Sequence, residues 1–102
     1  MKSIESMLGF AAKAGQIIAG SAGVEQAIIK HRAKLVIYAE DLSPKTIKNL
    51  IYLCQKNEIQ FLCYGLRSEL GRWVGAPERG IICIVSSQFA AAIRRLFNDR
   101  GD

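Results

Sequence analysis

The sequence predicts an α/β protein, a three-layer α/β/α sandwich built around a four-stranded sheet. Apolar segments of strand length alternate with amphipathic segments of helix length along the whole chain. The apolar runs 35–39 and 81–85 are near-continuous, as strands covered on both faces require. Glycine, proline or a capping hydroxyl punctuates most junctions. At 102 residues the chain suits one domain, 1–102, with no room for a second core.

Ser3 is placed to cap a first helix whose apolar positions Ile4, Met7, Leu8, Ala11 and Ala12 follow helical spacing, and Gly15 ends it. Gln16 to Ala19 reads as a short strand. Gly20 and Ser21 open a second helix with Val24, Ala27 and Ile28 on one face, and His31 continues that stripe as a packed or half-buried imidazole. Lys34 to Ala39 is the second strand, followed by the turn Glu40-Asp41-Leu42 with both acids solvated. Ser43-Pro44 starts a third helix, a capping hydroxyl with proline at the first helical position. It buries Ile47, Leu50, Ile51 and Cys54 and shows Lys45, Lys48 and Lys56 to solvent. Phe61 to Tyr64 is the third strand, and a short helix carries Leu66, Leu70, Trp73 and Val74. After the loop Gly75 to Gly80 come the fourth strand, Ile81 to Val85, and a last helix from about Ser87 to Phe97. That helix turns Phe89, Ile93, Leu96 and Phe97 inward, and the tail 98–102 is expected to fray.

Composition narrows the function. With 50% hydrophobic and 23% charged residues the chain is in the globular range, not the disordered one. No apolar run approaches the length of a membrane span, and Met1 to Glu5 show no apolar signal core, so a cytoplasmic protein is expected. The formal charge of +5 tilts toward a polyanionic partner. Cys54, Cys63 and Cys83 form no CxxC pair and sit among aliphatic residues, so each reads as a small buried hydrophobe. His31 is the single histidine, and no cluster of ligands suggests a metal or another cofactor.

No catalytic constellation emerges, and the chain reads as a non-enzyme. Gly20-Ser21-Ala22-Gly23 lies between a strand and a helix but lacks the lysine and spacing of a Walker loop and the third glycine of a dinucleotide fingerprint. Its free N–H groups suit a phosphate, or it is an ordinary helix start. Arg67 and Arg72 flank Ser68 to Gly71, and Arg79 precedes a buried strand. These guanidinium groups suit RNA phosphates or unstacked bases, or they simply solvate exposed loops.

The ordered residues Ala33 to Asp41, Ser43-Pro44, Leu53-Cys54 and Ser68-Glu69-Leu70-Gly71-Arg72, with Gly75 beyond, resemble the kink-turn RNA-binding family of ribosomal proteins. This is the family of the archaeal large-subunit protein "seven-Ae", and the chain most resembles its small bacterial YlxQ-type branch. The resemblance spans about residues 4 to 96 and implies a mixed four-stranded sheet and a ribosomal or other structured RNA as partner. Strong kink-turn binders carry Gly-Thr-Asn-Glu at the second helix start and a lysine three positions later. Here Gly20 and Ser21 fit, while Ala22, Gly23 and Gln26 replace the Asn, Glu and Lys. The resemblance therefore implies weakened kink-turn specificity. Restoring the three side chains should leave the helix intact, with a residue other than glycine at 23 improving helix propensity if its φ is helical. The resemblance further implies that Ile47 is an apolar contact, that Arg67 reaches RNA backbone, and that Arg79-Gly80-Ile81 pack a flipped-out nucleotide. The implied site is Gly20, Ser21, Ala22, Gly23, Gln26, Ile47, Arg67, Arg72, Arg79, Gly80 and Ile81, with Ile47 and Ile81 as an apolar ledge. The rival reading is a protein-interaction module that kept the fold and lost the RNA.

Overall fold

The computed structural model describes residues 3–99. Nine elements follow in strict alternation: α1 (Ile4–Lys13), β1 (Ile17–Ala19), α2 (Ser21–Ile29), β2 (Leu35–Tyr38), α3 (Pro44–Lys56), β3 (Phe61–Cys63), α4 (Arg67–Trp73), β4 (Ile81–Ile84) and α5 (Ser87–Asn98). Each strand is a residue or so shorter than its apolar run, because pairing ends before hydrophobicity does. The strands form one mixed sheet in the order β1-β4-β2-β3, with β2 and β3 parallel and the other pairs antiparallel. The apolar runs 35–39 and 81–85 contain the two central strands, β2 and β4, and all four residues of each strand are buried.

Alternate side chains of β2 and β4 serve opposite faces. Leu35, Ile37, Ile82 and Ile84 pack with Leu8 of α1, Leu70 of α4 and Ile93 of α5. Val36, Tyr38, Ile81 and Cys83 pack with Val24 and Ile28 of α2 and with Leu50 and Cys54 of α3. Three helices therefore cover one face and two the other. Local chemistry sets the helix ends. Ser3 and Ser6 form a reciprocal capping box at α1, and Ser43 and Ser86 cap α3 and α5 by accepting from the N–H groups of Thr46 and Phe89.

Several expectations need correction. α2 stops at Ile29, so the apolar stripe never reaches His31, which is exposed with φ 59°. Cys63 is exposed, because β3 is an edge strand with one side of its end open to solvent, whereas Cys54 and Cys83 are buried. Burial pushes those two thiols up to about 11. Leu66 lies at the mouth of α4 and is 42% exposed instead of joining the core. Asn98 is the last residue of α5 and Asp99 its C-cap; the rest of the expected frayed tail, 100–102, lies outside the described residues.

Candidate nucleic-acid interface

The strand directions bring four chain segments to one end of the sheet: the exits of β1, β2 and β3 and the entry to β4. Backbone hydrogen bonds tie them into a continuous edge. Gly20 donates to the Ile81 carbonyl at 2.9 Å, Ala39 to Gly80 at 2.9 Å, Glu40 to Gly65 at 2.8 Å and Arg79 to Arg67 at 3.2 Å. The segments are close enough that a Cβ on Gly80 would sit 2.4 Å from Leu42 Cδ2. A rigid scaffold thus presents its loops together.

At one corner of this edge α2 begins. Its N-cap is Gly20, with φ 97° and ψ 150° and no side-chain cap. The first intrahelical bond runs from Val24 N–H to the Gly20 carbonyl, which leaves the amides of Ser21, Ala22 and Gly23 without an intrahelical acceptor. Ser21, Ala22 and Gln26 are exposed, and the first turn carries no acid, so the positive end of the helix dipole is uncompensated there.

Arg67 and Arg79 stand at the other corner. Asp41 organises Arg67: its carboxylate accepts from the Arg67 backbone N–H at 3.0 Å and meets the guanidinium Nε at 3.5 Å. Partial desolvation raises the Asp41 carboxyl. The hydrogen bond from the Arg67 backbone N–H, with help from Asp41's own amide and the guanidinium, outweighs that and holds it below its usual value. Asp41 is exposed, as expected of a solvated turn acid, and it also positions Arg67. Arg79 is half-buried and donates from Nη1 to the Glu78 carbonyl at 3.1 Å. Glu40, Asp41, Glu69 and Glu78 balance Lys45, Lys48, Arg67 and Arg79 around this edge.

Two of the sequence-derived residues fall elsewhere. Arg72 points away from the edge into a groove between α1 and α4, beside Lys13 and Trp73. Ile81 is only 5% exposed, so its side chain belongs to the core and is no ledge; its carbonyl holds Gly20 instead. Ile47 is half-buried and lines an open groove of about 700 Å³ with Leu42, Pro44 and Tyr52. Sequence reasoning missed Leu42 and Tyr52, the latter 65% exposed, as walls of this groove. Tyr52 lies one turn beyond Lys48 on the polar side of α3, a spacing that could have marked it. Leu42 is an isolated apolar residue in a turn, which periodicity cannot interpret. Among the described residues, no three His, Cys, Asp or Glu side chains are grouped as a metal would need.

The model of the ribosomal protein L7Ae/L30e/S12e/Gadd45 family matches residues 2–93. The chain belongs to this family. It is 31% identical over 84 residues to the RNA-binding protein YlxQ of Bacillus subtilis, covering 82% of this chain and 84% of that protein. It is 29% identical over 85 residues to large ribosomal subunit protein eL8 of Picrophilus torridus, covering 82% and 67%. Among solved structures, a protein of unknown function from Bacillus halodurans C superposes with a TM-score of 0.90 at 31% identity, over 94% of this chain and 97% of that one. The 15.5kD RNA binding protein of Giardia lamblia shares the fold with a TM-score of 0.80 at 17% identity, over 93% and 82%.

In this member of the family, the α2 start carries a packing detail of its own. A Cβ built on Gly23 would lie 2.9 Å from Ile18 Cγ2 of β1, and Ile18 packs against the α2–α3 core. The expectation that a larger residue at 23 would favour the helix is thus corrected. The β1 side chain occupies the space, and a β-branched methyl has little freedom to yield.

Proposed function

We propose that this protein binds structured RNA without catalysing a reaction, using the loop edge described above. The observation that carries this is the meeting of the open α2 start with Arg67 and Arg79 on one hydrogen-bonded end of the sheet. Amides at a helix start and arginine side chains both fit phosphate oxygens, which position an RNA without reading it. Family membership and the printed names of its relatives supply the rest: YlxQ as an RNA-binding protein, eL8 as a ribosomal one. No helix among the described residues is long and apolar enough to cross a membrane, and the ribosome-associated family favours a cytoplasmic setting.

At the positions where strong kink-turn binders carry Asn, Glu and Lys, this chain presents a methyl, a hydrogen and an uncharged amide at Ala22, Gly23 and Gln26. Few hydrogen bonds to base edges are available there, so kink-turn specificity should be weak and binding strongly salt-dependent. Ala22, Gly23 and Gln26 also favour the second reading, an interaction module in which the edge meets protein. Titration with ribosomal RNA and with a standard kink-turn separates the two. Arg67→Ala and Arg79→Ala should each weaken RNA binding uniformly across sequences and lower the salt slope by up to about one. Unchanged affinity in both variants would transfer the edge to the protein-binding reading.

A further inference from the structure

The charge of the chain does not reside where the loop edge is. That edge is electrically balanced, whereas the opposite end of the sheet is strongly basic. There the segments entering β2 and β3 hold Lys30, Arg32, Lys34 and Lys56, with Glu58 as the single acid among the described residues of those segments. Arg94 of α5 joins them, its guanidinium hydrogen-bonded to the Gln60 side chain.

Part of this charge has a structural reason. Lys30 is the C-cap of α2 and Lys56 ends α3, where the carbonyl end of a helix favours a cation. Lys34 and Arg94 have no such reason. They line an open cavity of about 470 Å³ together with His31, Glu58, Gln60 and Ser87. Ser87 is the first residue of α5; Ser86 satisfies the Phe89 amide there, and with no acid in the first turn the rest of the dipole's positive end adds to the two cations. Arg94 Nε is closed off from solvent and has no hydrogen-bond partner among the described residues. A small shift of the Arg94 side chain toward an anionic oxygen in the cavity would satisfy that donor. None of the exposed large apolar side chains Phe10, Ile29, Tyr52 and Leu66 lines the cavity, so it lacks the apolar anchors on which protein interfaces depend.

We infer that this basic pole is a second binding surface, one that holds the phosphate backbone of a nucleic acid without reading its sequence. Lys34 and Arg94 grip phosphate oxygens at the cavity, and Arg32, Lys30 and Lys56 extend the field along the strand. With one surface at each end of the sheet, a single molecule can tether two RNA segments.

The test uses the full chain, a short RNA hairpin without a kink-turn, and fluorescence anisotropy over a salt series. Arg32→Gln/Lys34→Gln/Arg94→Gln removes three of the five cations of the pole, including both at the cavity. Lys34→Glu, which leaves the Arg94–Gln60 contact in place, covers the case in which the triple variant unfolds. Each should lower affinity at least fivefold at low salt and reduce the salt slope by about one or more, on the scale of one released counterion per lost phosphate contact. Arg67→Ala/Arg79→Ala should leave that component intact, which separates this surface from the loop edge. Wild-type protein on an immobilised hairpin should also capture a second labelled hairpin, and Lys34→Glu should not. A folded Lys34→Glu protein with wild-type affinity and salt slope would overturn the proposal. So would a loss seen only with a polyglutamate peptide and not with RNA, which would make the pole a site for acidic protein.

Discussion

Among the helices that start at the loop edge of the sheet, α2 and α3 differ: the chain completes α3 and leaves α2 open. At α3 the Ser43 hydroxyl accepts from Thr46 N–H at 3.2 Å and lies 2.8 Å from the Thr46 hydroxyl, while Pro44 has no N–H to satisfy. At α2 there is only Gly20, without a side chain and in a backbone conformation close to one that glycine alone adopts readily. A start capped by its own residues is finished as structure. One with free amides, no first-turn acid and exposed neighbours is ready for an anion. Under the proposed reading, the contrast gives different work to two motifs that both read as helix starts in the sequence.

The largest expected effect breaks the open start. At φ 97° and ψ 150°, Gly20→Ala introduces strain worth about 1–3 kcal/mol, although nothing lies within 4 Å of the added Cβ. Denaturant unfolding measures this directly. Unchanged stability would mean that the β1–α2 junction relaxes freely and that Gly20 does not hold the amides in place. The second effect concerns Gly23, whose added Cβ meets Ile18 Cγ2 at 2.9 Å. Gly23→Glu should cost about 1–3 kcal/mol by overpacking. Ile18→Ala in the same chain should recover part of that, with a coupling of about 0.5 kcal/mol or more in a double-mutant cycle. Strict additivity would place the strain elsewhere. Ile18→Ala is also the background in which Ala22→Asn, Gly23→Glu and Gln26→Lys should be combined. A tenfold or greater gain for a kink-turn over a matched duplex is expected there if the edge retains its shape.

Much of the architecture was legible because it rests on periodicity. The runs 35–39 and 81–85 announced the central strands, and Ser3, Ser43-Pro44 and Gly15 marked helix ends that the structure retains. Burial at the sheet's margin was less legible. Cys63 looks like Cys83 in its apolar neighbourhood, and only the strand order, which no local pattern encodes, puts one at the edge and the other at the centre. His31 failed for a local reason: the helix stopped two residues before it, and His31 itself has positive φ. Within the candidate site, the sequence could name arginines but not their surroundings. Arg67 and Asp41 are 26 positions apart and meet only because β2 and β3 run parallel. Arg72, five positions beyond Arg67, is carried round the helix to another groove. Gly23 is the subtlest case. Its helical propensity argued for replacement, and the close approach of Ile18 argues against it.

The smallest effect on stability gives the sharpest comparison, because folding and binding should move in opposite directions. Ala22→Glu places a carboxylate in the first turn of α2, where Ala22 is exposed and no acid is present. The helix dipole should reward this with about 0.3–1 kcal/mol of added stability at low salt. The same charge would occupy the electrostatic position that a phosphate needs, so RNA affinity should fall severalfold while the fold gains. Ser43→Ala is the complementary control at the closed start. Losing the cap should cost about 1 kcal/mol, and RNA affinity should stay unchanged because the Thr46 amide is already satisfied within the chain. If Ala22→Glu stabilises the protein and leaves RNA binding untouched, the amides of α2 do not meet phosphate, and the edge acts through Arg67 and Arg79 alone. If both substitutions weaken RNA binding equally, the two helix starts are equivalent, and their different caps reflect only how each helix was completed.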